Sequence, residues 1–196
     1  MTLQALMEQM ASCRVCEGRI PEPRPVFRLS APARILIVGQ APGTRVHATG
    51  IPWNDPSGDR LRAWMGLTRD EFYDASRIAI LPMGLCYPGK GPSGDLPPRP
   101  ECAPLWHPPA VEKLGQVELI LLVGSYAHEF YLKKPRVKSV TETVRGWKTA
   151  GPRYFPIVHP SPRNRRWLTL NPWFEDEVVP ALRARVQSTY PTRPPA

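Results

Sequence analysis

Residues 33–44, ARILIVGQAPGT, constrain the fold more than any other stretch of the chain. Their first half is an apolar run without alternation, which is typical of a strand buried on both faces of a parallel sheet. The glycine-rich residues 39–43 then let backbone amides approach a ligand closely. In open α/β sheets ligands bind at the carboxyl ends of strands. The pattern therefore predicts a ligand site here, although an ordinary strand–helix turn has the same local signature.

The charge balance favours a polyanionic partner. Lysine and arginine number 26 against 17 aspartate and glutamate, which gives a formal net charge of +9. Nucleic acid is the leading candidate, and a basic surface without a specific partner is the alternative. We find neither a long apolar run nor a leader pattern, and we expect a cytoplasmic protein, nucleoid-associated in a prokaryote, with no membrane contact. A monomer is the default expectation.

Apolar runs and turn signals predict strands that alternate with helices. Strands are predicted at 34–38, 78–81, 118–123 and 153–158, and helices at 3–10, 54–65, 70–76, 111–114, 126–132 and 174–187. Residues 45–53 and the proline- and glycine-rich residues 83–99 are predicted as loops. The alternation predicts one domain over residues 1–189 with a flexible tail at 190–196. Its class is α/β, a three-layer α/β/α fold with a central, about four-stranded parallel sheet.

The cysteines form a second constraint. The chain has four, and two of them make a C-x2-C pair near its start: Cys13, Cys16, Cys86 and Cys102. In an intracellular protein this spacing favours metal binding over disulfides. Isolated buried cysteines or a reduced redox pair are the alternatives. Four thiolates suit an iron–sulfur cluster and zinc equally, so the spacing does not choose between them.

The last predicted strand ends in residues 159–166, HPSPRNRR. A histidine and a tight cationic turn at the same sheet edge as the glycine turn predict one wall of a site, although a lone histidine is more often structural. A further basic cluster is interpreted as a solvated face, with phosphate contact as the alternative: Lys133, Lys134, Arg136 and Lys138.

Three motifs together resemble the uracil-DNA glycosylase superfamily, in particular its iron–sulfur branch, families 4 and 5. The branch's G-E-A-P-G followed by T-G-x-P-F is similar to residues 39–43 and 49–53, and its H-P-S motif is matched by residues 159–161. Its cysteine pattern is met by the four cysteines. The motifs occur in the same order over residues 13–166.

The resemblance implies roles for the matched residues. Trp53 occupies the position of an aromatic ring that stacks on uracil, and His159 that of a donor which stabilises the leaving base. The remaining substrate-binding positions are Gly39, Gln40, Ala41, Pro42, Gly43 and Ser161. The positions implied to contact DNA are Arg163, Asn164, Arg165 and Arg166. The implied cofactor is a [4Fe–4S] cluster on the four cysteines, with zinc as the alternative.

Two departures from the family pattern affect the chemistry. Members that use a carboxylate in the first motif carry it where this chain has Gln40 or Ala41, neither of which can act as a base. Family 5 has an aspartate shortly after the stacking aromatic, in a D-x-S-G setting that residues 55–58 match. Water activation is therefore assigned to Asp55, with Asp59 as second candidate and helix capping as the alternative role of Asp55. Pro82 stands where many members carry an asparagine that reads uracil, so backbone or another side chain must read the base.

The predicted function is that of a repair glycosylase. It would flip uracil, or a related deaminated base, out of single- or double-stranded DNA and hydrolyse the N-glycosidic bond to leave an abasic site. The alternative is a member of the same fold that binds damaged or abasic DNA with little turnover. An unrelated nucleotide-binding protein is disfavoured by the cysteines and by the lack of a Walker or dinucleotide fingerprint.

Overall fold

The computed structural model describes residues 1–92, 94–132 and 139–189. The predicted basic cluster at 133–138 and the predicted tail at 190–196 lie outside the described residues. In chain order the strands are β1 (Ile35–Val38), β2 (Ile78–Ile80), β3 (Lys90–Gly91), β4 (Gly94–Asp95), β5 (Leu119–Val123) and β6 (Tyr154–Ile157). Four of them form a parallel sheet in the order β2–β1–β5–β6, and β3 and β4 pair as a separate antiparallel hairpin.

Helices cover both faces of the parallel sheet. They are α1 (Leu3–Ala11), α2 (Thr44–Thr49), α3 (Pro56–Met65), α4 (Arg69–Tyr73), α5 (Cys102–Lys113), α6 (Ser125–Leu132), α7 (Val140–Arg145), α8 (Arg165–Leu170) and α9 (Val179–Thr189). Short 3₁₀ turns occupy Trp147–Thr149 and Pro162–Asn164, and a π-helical turn at Phe174–Val178 runs into α9. Within the described residues no helix is both long and apolar enough to cross a membrane.

Alternate strand residues enter two separate hydrophobic cores. Ile35 and Ile37 of β1 face a core built with α3, α4, α7 and α9. Leu36 and Val38 face the other core, built with α1, α5 and α6. Because every residue of β1 is buried, the strand needs apolar side chains on both faces, which explains its unbroken apolar run. The predicted three-layer α/β/α class with a four-stranded parallel sheet is confirmed.

Two predicted loops contain regular structure. The prediction of an irregular loop over residues 45–53 is wrong for its first half, because α2 occupies Thr44–Thr49 and ends at Gly50 in the left-handed conformation, φ 69°. The prediction of a loop over residues 83–99 misses the β3–β4 hairpin. Both elements lie at the edge of the sheet where β1 ends, so both take part in the site.

Helix α5 begins nine residues earlier than the predicted helical segment at 111–114, at Cys102. Prolines 108 and 109 lie inside it, and each removes a backbone donor from the helix. The helix persists because Ala103, Trp106 and Ala110 are buried against the sheet on one face.

Candidate active site

A cleft of about 730 Å³ opens at the carboxyl ends of β1 and β2, beside the turn that follows β6. It brings together most of the residues singled out from the sequence: Gly39, Gln40, Ala41, Pro42, Gly43, Trp53, Asp55, His159, Ser161, Arg163 and Asn164. Asp59, Arg165 and Arg166 are not among the residues that line it. Sequence reasoning did not single out several other lining residues, notably Arg45, Lys90 and Asp95.

Trp53 is held in one position by close contacts on two sides. Its backbone lies in the left-handed region with φ 58°, which a tryptophan rarely adopts. A Cβ atom on Gly39 would lie 2.7 Å from Cζ2 of the indole, so only glycine leaves room for the ring. A Cβ atom on Gly58 would lie only 1.8 Å from the Trp53 carbonyl oxygen, which also accepts a hydrogen bond from Arg62 Nη1 at 3.3 Å. The ring is therefore a preorganised wall of the cleft.

His159 has a defined tautomer. The backbone N–H of Ser161 donates to His159 Nδ1 at 3.2 Å. Because a backbone N–H only donates, Nδ1 must be the acceptor in this hydrogen bond and carries no proton. The neutral ring therefore holds its proton on Nε2. Burial lowers the pKa of His159, and the nearby Asp55 carboxylate opposes this shift. At neutral pH the ring is therefore an uncharged donor through Nε2.

Two further contacts fix the turn that carries this histidine. Asn164 Nδ2 donates to the His159 carbonyl oxygen at 2.7 Å, and Arg60 Nη1 donates to the Ser161 carbonyl oxygen at 3.2 Å. Arg60 belongs to α3, so the histidine turn is tied to the helix that follows Trp53. The Asn164 side chain thus has a positioning contact within the protein.

The two predicted acids have different surroundings. Asp55 caps α3, accepting a hydrogen bond from the Gly58 amide at 2.8 Å through Oδ1, and it also lines the cleft. Asp59 points away, with its side chain 74% exposed, and pairs with the buried Arg62. Asp59 therefore supports the arginine that holds the Trp53 carbonyl. Of the two candidates for water activation, Asp55 lines the cleft and Asp59 does not.

The β3–β4 hairpin supplies a second carboxylate to the cleft. Asp95 Oδ2 lies 3.4 Å from the position of a Cβ on Gly43, and Oδ1 accepts a long 3.5 Å hydrogen bond from Tyr87. Its cross-strand partner Lys90 lines the same cleft. The sequence carried no periodic signal for this placement, because the hairpin lies within a stretch of glycines and prolines.

The glycine turn presents donors to the cleft. The carbonyl oxygens of Gly39 and Gln40 accept hydrogen bonds from Met83 and Gly84, both at 2.9 Å. The amides of Gln40 and Ala41 make no hydrogen bond to another described residue. A backbone amide without a protein partner requires a ligand or water. This turn can therefore hold an oxygen atom or an anion.

Pro82 also lines the cleft, but its polar group is already used. Its carbonyl oxygen accepts a hydrogen bond from the buried His107 Nε2 at 3.0 Å. The half-buried Gln40 side chain makes no hydrogen bond to the described residues and offers both a donor and an acceptor. It is the side-chain amide in this cleft that is free to contact a base edge.

Cationic residues border the cleft on two sides. Arg163 lies against Gly94 of the hairpin and lines the cleft. Arg45, at the start of α2, also lines the cleft. Arg165 and Arg166 begin α8 and are exposed just outside the lining. Arginines at these positions can contact phosphates that flank a nucleotide held in the cleft.

The four cysteines converge on a second, smaller cavity. Its lining includes Cys13, Cys16, Cys86 and Cys102. Arg99 and neighbouring apolar residues complete it. Within the described ranges no three His, Cys, Asp or Glu side chains are arranged to hold one metal ion. The Leu85 amide donates to Cys102 Sγ at 3.3 Å. The cavity joins the segment after α1, the segment after β2 and the start of α5.

Three of the cysteine thiols, those of Cys16, Cys86 and Cys102, are poor nucleophiles because burial raises their pKa. Burial raises the pKa of Cys86 to about 11 and that of Cys102 to about 12. Burial also raises the pKa of Cys16, while Arg19 and Arg99 oppose this shift. A redox-active C-x2-C pair has a lowered thiol pKa, so the raised pKa of Cys16 argues against the redox-pair interpretation.

An ion network lies beside Cys16. Glu101 pairs with both Arg19 and Arg99, and its own backbone amide together with Arg99 lowers the pKa of this carboxyl to about 2. Arg99 Nε and Glu101 Oε2 are buried and have no hydrogen-bond partner among the described residues. A thiolate or an inorganic sulfide in the cavity would give the Arg99 N–H an acceptor, so the donor set fits a sulfur-rich group.

The fold is a three-layer α/β/α domain with its cleft at the carboxyl ends of the central strands. The family model described as Uracil DNA glycosylase superfamily matches residues 27–183, most of the chain. The chain belongs to this superfamily, which implies a DNA substrate and chemistry at an N-glycosidic bond. The matched residues include Cys86 and Cys102, whereas Cys13 and Cys16 precede them.

Proposed function

We propose that this protein excises uracil, or a related deaminated base, from DNA by hydrolysing the N-glycosidic bond. The observation that carries the proposal is the convergence of Trp53, His159 and Asp55 in one cleft, next to the unpaired amides of Gln40 and Ala41. An aromatic wall, a neutral donor, a carboxylate and free amides are what base capture and base release require.

Base capture uses the rigid side of the cleft. A nucleotide flipped out of DNA loses its stacking, and the Trp53 ring compensates by stacking on the extruded base. Many family members read the base with an asparagine at the position that Pro82 occupies here. In this chain the Gln40 carboxamide takes over that role and contacts one edge of the base. Uracil presents both a carbonyl oxygen and an imide N–H, and a carboxamide complements the two.

Bond cleavage is a substitution at C1′ of the deoxyribose. The bond from C1′ to N1 breaks and its electron pair moves into the uracil ring, while a water oxygen forms the new bond to C1′. Asp55 accepts a proton from that water through Oδ2, the oxygen that the Gly58 amide leaves free. The developing negative charge on the base oxygen is stabilised by His159 Nε2–H and the free amides.

We also propose a [4Fe–4S] cluster on Cys13, Cys16, Cys86 and Cys102. The four sulfurs line one cavity, and their spacing resembles that of the iron–sulfur branch, which together support one shared metal group. Zinc on the same four sulfurs is the alternative, and metal analysis distinguishes the two. When bound, the cluster would cross-link the segment after α1 to the segments after β2 and before α5.

The test is an excision assay. Purified protein is incubated with an oligonucleotide that contains one uracil, in single- and double-stranded form, and the product is treated with alkali. The proposal predicts strand cleavage at the uracil and none in a matched thymine oligonucleotide. Tight binding to abasic DNA without cleavage would instead support the binding-protein alternative.

A further inference from the structure

Arg99 has the geometry of a ligand to the contents of the cysteine cavity. It lines the cavity, and its Nε is buried without a hydrogen-bond partner among the described residues. Its Nη2 donates to Glu101 Oε1 at 3.0 Å. Glu101 therefore holds one edge of the guanidinium, which also interacts with the Cys16 sulfur, while Nε has no hydrogen-bond partner among the described residues.

The arginine is held from a second side. Glu101 also pairs with Arg19, which lies three residues after Cys16 and donates to the Val15 carbonyl oxygen. The two guanidinium groups and one carboxylate leave one net positive charge beside Cys16. A buried N–H without an acceptor is rare in folded proteins, so a fixed but unsatisfied donor at a cavity indicates a missing acceptor.

The Arg34–Glu118 ion pair provides a comparison, because it lies on the surface outside the cleft and the cysteine cavity. Arg34 pairs with Glu118 at the amino end of β1, with side chains 45% and 50% exposed. Neither residue lines the cleft or the cysteine cavity. Arg34 therefore provides a matched control for Arg99.

We infer that Arg99 is a positioning residue for the proposed cluster: it donates from Nε to a sulfur of the Cys16 ligand or of the cluster and raises the cluster's reduction potential. This inference rests on the proposed cofactor. One-electron reduction adds a negative charge to the cluster, and a fixed cation with an N–H aimed at sulfur stabilises the reduced form more than the oxidised form. Glu101 and Arg19 keep the guanidinium in place.

The experiment compares anaerobically purified wild type with Arg99→Gln, Arg99→Lys and the control Arg34→Gln. Iron and zinc contents are measured, then each protein is titrated with dithionite, which supplies the electron, under electron paramagnetic resonance detection. Cluster loss in air is followed by absorbance. Thermal unfolding of each variant reports whether it is folded.

We expect Arg99→Gln to retain iron but to lower the ratio of reduced to oxidised cluster at a fixed potential by about tenfold, equivalent to about 59 mV for a one-electron couple. Arg99→Lys should recover part of the shift because it keeps the charge, and Arg34→Gln should match wild type. An unchanged potential in folded Arg99→Gln, or an equal shift in Arg34→Gln, would overturn the inference alone. A wild-type protein with zinc or no metal would overturn the cluster itself, whatever the excision assay shows.

Discussion

The Trp53 ring lies 5.6 Å from the His159 ring, centroid to centroid, with the two planes inclined by 31°. This contact joins the loop before α3 to the turn after β6, two segments far apart in the sequence. The proposed stacking surface and the proposed donor are therefore positioned as a unit. A change that displaces the tryptophan should also impair the histidine.

Gly58→Ala tests this coupling. The new methyl group meets the Trp53 carbonyl oxygen, so the loop must shift, and we expect the free energy of unfolding to fall by about 1–3 kcal/mol. Urea unfolding and excision rate are the two measurements. Gly115→Ala is the control, because a Cβ there meets no atom within 4 Å. A Gly58→Ala protein as stable and as active as Gly115→Ala would refute the packing account of Trp53.

Two buried histidines should make the protein acid-sensitive. Burial lowers the pKa of both His107 and His128 from 6.5 to about 4. Because the unfolded chain binds more protons than the folded protein between these values, stability should decrease as pH falls from about 6.5 to 4. The loss is on the order of 3 kcal/mol per histidine over that window.

The window from pH 6.5 to 5 separates the titration of the buried histidines from that of the carboxyl groups, which titrate mainly below it. Chemical unfolding at several pH values gives the slope. His128→Gln should flatten the slope, and its side-chain amide, which reaches about as far as Nε2, can still donate to the Leu122 carbonyl oxygen that His128 Nε2 contacts at 3.1 Å. A stability that does not change between pH 6.5 and 5 would contradict the assignment.

DNA affinity should depend on salt through the arginines at the cleft. If Arg163 neutralises a phosphate, Arg163→Ala should reduce the slope of log K against log salt by about one. Arg165→Ala should act in the same way from the start of α8. Arg34→Ala, at the opposite edge of the sheet, should leave the slope unchanged. An equal change of slope in all three variants would mean that only the net charge of the protein matters. It would contradict a specific phosphate contact by Arg163 or Arg165.

The central strands could be predicted because burial on both faces requires an unbroken run of apolar residues, which is recognisable in the sequence. Residues 35–38 and 119–123 are apolar without alternation, and both strands are central. Helix α2 escaped prediction because it is short and buries little beyond Val46. Helix α5 escaped because its internal prolines oppose helix formation locally, while its buried face is visible only in the folded protein.

The site was only partly predictable for a different reason. Asp55 and Asp59 are four positions apart, which puts two residues on one face inside a helix. Asp55, however, is the N-cap and lies half outside the helix, so the spacing rule does not apply to it. Asp95 reaches the cleft through a hairpin in a segment without periodicity, and long-range folding alone brings it there.

Asp55 has two roles that substitution can separate. Asn can replace Asp as an N-cap, so Asp55→Asn should keep the hydrogen bond to the Gly58 amide and nearly full stability. Asp55→Ala should lose the cap as well, at a cost of about 1 kcal/mol of unfolding free energy. Urea unfolding of the two variants distinguishes the cap from the chemistry. If Asp55→Asn is as unstable as Asp55→Ala, asparagine does not keep the cap, and this prediction is wrong.

Single-turnover release of free uracil from a one-uracil oligonucleotide tests the central claim most directly, in wild type and in the Asp55→Asn, Asp59→Asn, Asp95→Asn and His159→Ala variants. We predict release by wild type and a loss of about 10²–10⁴-fold in Asp55→Asn and a comparable loss in His159→Ala. Asp59→Asn should change the rate by less than about fivefold, since Asp59 does not line the cleft and asparagine can still accept a hydrogen bond from Arg62. A large loss in Asp95→Asn with Asp55→Asn unchanged would move water activation to the hairpin. No release of uracil by the folded, metal-loaded wild type would contradict the account.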